Sequence, residues 1–218
     1  ESARIFFLRL LPRGLPEADR IGDWLLEAGL RQQDWNTVER DCQTIRRLLP
    51  HHPRANEVLG RALVKRGAPR LAASHLQLVL NTQTNAALLT VFGEASLRAG
   101  EPEQSRGALE AAVRLPDASG DAHLLLARAL LEKGQTEAAL ETLRETPAAR
   151  RTPALVLFHA NLLFDRGQPA ACRRELEALD AWRDQVTVLQ RREWETLRAK
   201  TAGVETEEPD DDGDPETD

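Results

Sequence analysis

Leu131-Glu132-Lys133-Gly134 decides how the chain is read, because the same ending occurs three more times. Val64-Lys65-Arg66-Gly67, Leu97-Arg98-Ala99-Gly100 and Phe164-Asp165-Arg166-Gly167 repeat it, so the four glycines stand 33, 34 and 33 residues apart. Each glycine follows an amphipathic stretch. Glycine after a basic or polar last turn is a helix C-terminal signal, since the position just past the helix favours positive φ. One step of 34 back from Gly67 reaches Gln33, within Arg31-Gln32-Gln33-Asp34-Trp35. Five units follow, beginning near residues 19, 53, 86, 120 and 153, each read as a helix, a tight turn and a second helix.

The second helices are closed by proline, which cannot continue a helix: Leu49-Pro50-His51-His52-Pro53, Leu115-Pro116-Asp117 and Glu145-Thr146-Pro147. Apolar and small residues recur at i, i+3, i+4, as in Leu59, Gly60 and Leu63, then Ala72, Leu76 and Val79. Gly60, Gly93, Ala127 and Ala160 keep the same period, and a small residue there lets two helices come close. Composition agrees. The 218 residues include 35 Leu and 31 Ala, with 4% aromatics, no Tyr and no Met. Ala and Leu favour helix while strands prefer branched and aromatic residues, which excludes an all-β fold.

The period, the turn glycines and the small contact residues resemble the tetratricopeptide repeat family, over roughly residues 19–184. The aromatic positions of that family hold Gly29, Leu63, Ser96, Leu130 and Leu163 here, and its aspartate-aromatic pair survives as Asp34-Trp35. The resemblance implies an all-α solenoid of helical hairpins. Its expected divisions are a partial repeat over 1–16, five units over 17–184, a capping helix over 185–200 and an acidic tail over 201–218. In the cap, Val186, Leu189, Trp194 and Leu197 are expected to face the array. Arg9-Leu10-Leu11-Pro12 repeats as Arg47-Leu48-Leu49-Pro50, so residues 3–11 read as the second helix of an incomplete repeat. Ile5, Phe6 and Leu8 would leave an apolar face, pointing to self-association or a missing upstream segment.

Charge is unevenly placed. Residues 205–218 (ETEEPDDDGDPETD) hold nine acids and no base, so the −6 of the whole chain divides into +3 for residues 1–204 and −9 for the tail. Such a tail reads as disordered and solubilising, with occupancy of the chain's own basic row as the alternative. No apolar run approaches the ~18 residues of a membrane span. Absence of Met points to a trimmed or processed chain. The expected location is the cytoplasm, or the periplasm or a membrane surface if a leader or anchor was removed. The 26 Arg against 3 Lys suggest a GC-rich bacterial genome.

No motif for catalysis is present: neither GxSxG, HExxH, GxxxxGK nor GxGxxG. His51-His52 reads as a solvated turn, His123 and His159 as packed or half-buried, and none has a ligand partner at metal spacing. Cys42 and Cys172 occupy packing slots and support neither a disulfide framework nor a zinc site. The tail fails the calcium-loop pattern. No metal and no cofactor are therefore expected. Nucleic-acid binding is the least supported alternative, since the body is only +3, aromatics are scarce and the slots vary from repeat to repeat.

By the resemblance, the first helix of each unit lines a concave binding groove. The family's groove positions, transferred by period, include Glu27, Arg31, Arg61, Lys65, Glu94, Arg98, Arg128 and Asn161. Arg31, Lys65 and Arg98 form a basic row continued by Glu132 and Asp165; the competing reading is a solvated charged face. The chaperone-clamp pattern of Lys, Asn and Arg is not matched. The chain is accordingly expected to be a non-catalytic scaffold or adaptor for a protein or peptide, within a bacterial multiprotein assembly. The alternative is a regulatory domain cut from a larger enzyme or membrane-anchored protein.

Overall fold

The computed structural model describes residues 9, 18–49, 52, 54–82 and 84–203. Among them are eleven α-helices and no strand. They are α1 (Ala18–Gln32), α2 (Trp35–Leu48), α3 (Ala55–Lys65), α4 (Pro69–Leu80), α5 (Ala86–Ala99), α6 (Pro102–Val113), α7 (Gly120–Glu132), α8 (Thr136–Arg144), α9 (Pro153–Asp165), α10 (Pro169–Ala178) and α11 (Val188–Ala202). The first helices begin at 18, 55, 86, 120 and 153, within two residues of the expected starts. Apart from Arg9, the expected partial repeat over residues 3–11 lies outside the described residues, as do the acidic tail over 205–218 and His51.

The turns explain the period. Gly67, Gly100, Gly134 and Gly167 have φ of 78°, 81°, 71° and 71°, and the non-glycine Gln33 joins them at 54°. At all four glycines the residue after the turn donates its amide back five residues: Ala68 to Leu63, Glu101 to Ser96, Gln135 to Leu130 and Gln168 to Leu163. This is the closure that a left-handed residue permits, satisfying carbonyls that the helix end leaves open. The next helix starts at once, three times with Pro at its first position (Pro69, Pro102, Pro169), where the missing amide is no loss. Side-chain caps start other helices. Asp34 accepts from the Thr37 amide at 3.2 Å, Asn85 from Leu88 at 2.8 Å, and Thr187 pairs with Gln190 in a capping box.

The described residues fall into two compact units that divide between Thr142 and Leu143, inside α8. In the N-terminal unit each helix packs on the next from α1 to α7, and the first helices α1, α3, α5 and α7 also pack on one another in succession. Buried Leu26, Ile45, Leu76, Leu88 and Leu109 fill its core, with Cys42 among them. In the C-terminal unit α9 packs on α10, and α11 lies against both. The expected small contact residues are all buried. A Cβ on Gly60 would lie 2.8 Å from a Leu76 methyl, and one on Gly93 would lie 2.4 Å from Leu109 Cγ.

Two expectations are corrected. His52 is buried to 1% exposure, not solvated. Its Nε2 sits 3.1 Å from the Asp19 carbonyl, in space left because Gly22 has no side chain: a Cβ there would lie 2.5 Å from that nitrogen. In α11, Trp194 and Leu197 are buried as expected, and Val186 is buried just before the helix, but Leu189 is 78% exposed. The helix begins at Val188, so Val188 and Leu189 sit in its first turn on the outer side, while the buried face starts one turn later.

Candidate protein-binding surface

Three first helices of the N-terminal unit carry the same device. Glu27 meets Arg31 at 3.2 Å, Glu57 meets Arg61 at 3.1 Å, and Glu94 meets Arg98 at 2.9 Å, each pair spaced i, i+4 within its helix. The glutamate lies N-terminal to the arginine, the favourable order along a helix dipole. The arginine ends stay accessible, with 78%, 46% and 52% of the side chain exposed at Arg31, Arg61 and Arg98. Arg54, at the cap of α3, reaches back to α1, 3.5 Å from Asp23 and 3.9 Å from Glu27. Lys65 and Arg128 are also exposed.

Other ion pairs hold turns rather than surfaces. Arg66 at the end of α3 pairs with Glu39 on α2. Lys133 at the end of α7 pairs with Glu103 on α6 at 2.7 Å, and Glu103 also takes Arg106. The lysine and arginine together hold the Glu103 carboxyl below its usual range.

Asn161 belongs to the C-terminal unit and is not open like the others. Its Nδ2 donates to Glu193 Oε1 at 2.6 Å and to the Leu157 carbonyl at 2.9 Å. Sequence reasoning missed Glu193, although it stands 32 residues beyond Asn161, nearly one repeat. Helix α11 thus supplies a neighbour to α9 much as a further first helix would. Beside this contact Lys200 rests over the Phe164 ring at 5.8 Å, and Asn161, Leu189, Arg192, Glu193, Thr196, Leu197 and Lys200 line an open cleft.

The buried titratable groups serve packing. Burial, aided by Asp41, pushes the Cys42 thiol up to about 12, and burial beside Glu175 raises Cys172. Neither is a reactive thiolate. Burial and the nearby Arg46 lower His75 to about 4. Glu175 is the centre of a half-buried network in which it pairs with Arg151, and His159 Nδ1 lies 3.3 Å from its Oε1. Burial raises its pKa, but the imidazole and the guanidinium outweigh that and hold it below its usual range. Among the described residues, no three His, Cys, Asp or Glu side chains gather to hold a metal ion. None of the described helices is long and apolar enough to cross a membrane.

Comparison with known proteins agrees with this architecture. The tetratricopeptide repeat family profile matches residues 90–153, which span α5 to α8 and the start of α9. No curated protein sequence matches the chain. Solved structures do. PilF of Pseudomonas aeruginosa superposes with a TM-score of 0.64 at 18% identity, over 74% of each chain. A tetratricopeptide protein of Thermus thermophilus gives 0.60 at 19% identity, covering 83% of this chain and 97% of its own. YrrB, described as a tetratricopeptide protein with an unusual peptide-binding site, gives 0.52 at 15% identity, covering 80% and 88%. At these identities the likeness is one of fold, and it bears out the reading of the sequence as helical hairpins of the tetratricopeptide type.

Proposed function

We propose that this array of tetratricopeptide-type hairpins is a non-catalytic scaffold or adaptor that holds a protein or peptide on its first-helix faces. In the N-terminal unit the contact row is Glu27, Arg31, Arg61, Lys65, Glu94, Arg98 and Arg128; Asn161 is the matching position of the C-terminal unit. The observation that carries the reading is the exposed Glu-Arg pair repeated on α1, α3 and α5. An exposed i, i+4 pair contributes only about 0.3–0.5 kcal/mol, so a partner's charges exchange with it at little loss. By the repeat period Glu27, Arg61, Glu94 and Arg128 share one slot and Arg31, Lys65 and Arg98 share the next, so the pair on α3 stands one turn earlier than those on α1 and α5, and packing accounts for neither row. Alternating acid and base along one face suits an extended segment of mixed charge, whose main contribution is orientation and on-rate.

A cytoplasmic protein working within a bacterial multiprotein assembly is part of the same proposal. The arginine-rich composition supports the bacterial origin. The test is affinity capture by the full chain, followed by titration of the captured partner against Arg31→Glu/Arg61→Glu/Arg98→Glu. The expected result is a loss of tenfold or more in affinity with unchanged helical content. Equal binding by the triple variant would move the binding surface elsewhere.

A further inference from the structure

The C-terminal unit has a second charged surface that the repeat slots do not include. Against α11 lies a recess of about 230 Å³ lined by Arg183, Arg191, Trp194, Glu195 and Arg198. Its cations are incompletely matched. Arg183 Nη2 donates to Asp180 Oδ1 at 3.0 Å, and Arg198 Nη1 lies 3.8 Å from that same oxygen, so one carboxylate serves two guanidinium groups. Arg191 gives a nitrogen to a neutral acceptor, the Arg183 carbonyl, at 2.8 Å. Trp194 is 4% exposed, and its Nε1 is buried without a hydrogen-bond partner among the described residues. Three guanidinium groups against the two carboxylates of Asp180 and Glu195 leave an excess of positive charge beside an unsatisfied indole donor, a site for carboxylates, which accept several donors at once. The first-helix arginines differ, since Arg31, Arg61 and Arg98 each meet a glutamate one turn earlier on the same helix.

We propose that this recess binds carboxylates of the chain's own acidic end, residues 205–218. Charge and length both favour that occupant. The segment carries nine acids and no base, and it begins three residues after α11 ends at Ala202. At 1.5 Å per residue, Arg198 lies about 6 Å and Arg191 about 16 Å back along the helix from that end. An extended chain covers ~3.3 Å per residue, so Glu205, Glu207 and Glu208 come within reach of Arg198, and Asp210 to Asp212 within reach of Arg191. Tethering this close gives an effective concentration in the millimolar range, enough for a weak, multivalent contact. The recess then becomes a place where an acidic segment of a partner competes with the tail, distinct from the first-helix row.

The experiment compares the full chain with a full-length variant in which every Glu and Asp of 205–218 is replaced by Gln or Asn. The readout is the indole N–H resonance of Trp194 in a ¹⁵N spectrum, with Trp24, Trp35 and Trp182 as internal references. At about 50 mM salt the Trp194 signal is expected to differ between the two chains by several times more than the Trp24 or Trp35 signals. The difference should collapse near ~500 mM salt as screening shortens the reach of the charges. A synthetic 205–218 peptide added to the neutralised chain should restore the wild-type position. Arg191→Ala/Arg198→Ala in the full chain should abolish the difference; if that variant fails to fold, the comparison of tails stands by itself. Identical Trp194 signals at low salt overturn the proposal. A shift that grows with protein concentration also overturns it, because the occupant would then be the tail of a second copy.

Discussion

The repeat made by α5 and α6 and the repeat made by α9 and α10 use the same slots and close them differently. In the first, Gly93 faces Leu109 so closely that a Cβ would lie 2.4 Å from the leucine Cγ, and the Ser105 hydroxyl donates to the Gly93 carbonyl at 2.8 Å. In the second, Ala160 takes the glycine position, Cys172 the serine position and Leu176 the leucine position, all buried. There the polar element moves outward to Arg151, Glu175 and His159. The period fixes where two helices meet; the residue at the meeting point fixes how near they come and what else must hold them.

The largest effect that sharpens this contrast is expected at Gly93. Gly93→Ala forces its methyl against a branch carbon that cannot swing aside without moving α6, so a loss of about 3 kcal/mol is expected, the upper range for overpacking. Gly60→Ala meets the two Leu76 methyls at 2.8 and 2.9 Å and the branch carbon Cγ only at 3.0 Å, a milder collision that should lose about 1 kcal/mol. Ala160→Gly should lose about 2 kcal/mol, through helix propensity and the loss of a buried methyl together. Thermal melts of the three variants check the order; a Gly93→Ala chain that melts with Gly60→Ala would mean that the two contacts are equally close.

Acid separates the two units next. His75 in the N-terminal unit has a folded pKa of about 4 against an ordinary 6.5, so the unfolded chain binds the extra proton first. Its contribution is complete above pH 6.5 and fades as pH falls from 6.5 toward 4. Discounted for its partial exposure, this is on the order of 1–2 kcal/mol. Glu175 in the C-terminal unit is held below its ordinary 4.5, so its contribution is complete above that value and is lost only as pH falls through the lower folded one. Amide exchange followed from about pH 7 to about pH 3 should show α4 weakening before α10. His75→Gln should flatten the first change and Glu175→Gln the second, each at a constant loss of about 1 kcal/mol at neutral pH. Simultaneous weakening in both variants would remove the distinction.

Much of this was legible in the sequence because turn chemistry repeats. Four positive-φ glycines set the register, and the small residues seven positions before them, in the helices they close, set the packing, so unit starts and buried slots were readable from the sequence. The arginines of the candidate row were assigned by period, Arg31 and Arg98 to one slot and Arg61 to another. Burial of His52 was not: two flanking prolines mark a turn, and the space for the imidazole comes from Gly22, 30 residues earlier. A glycine inside a helix with no turn nearby was the available signal. Leu189 misled because an i, i+4 pattern counted from residue 185 includes it, whereas the capping box at Thr187 starts the helix later and turns that side outward. Glu193 beside Asn161 went unread because the glycine that closes α11, Gly203, stands 36 residues after Gly167 rather than 33 or 34, and so falls out of the period.

The smallest expected effect concerns the one turn that departs from the rule. Gly100 and Gln33 occupy the same left-handed place in different repeats, at φ of 81° and 54°. A side chain there brings Cβ toward the following carbonyl, at roughly 1–2 kcal/mol for an ordinary residue. Gln33→Gly relieves that contact but also gives the unfolded chain more freedom, so the net gain should be only about 0.5 kcal/mol. Gly100→Ala should lose about 1 kcal/mol, although a Cβ there meets nothing within 4 Å, because the loss is backbone strain rather than collision. Opposite signs for the two substitutions in denaturant titrations are the test. If Gln33→Gly destabilises instead, the Gln33 side chain holds the first turn by contacts that outweigh its strain, and that repeat is closed by side chain rather than by backbone.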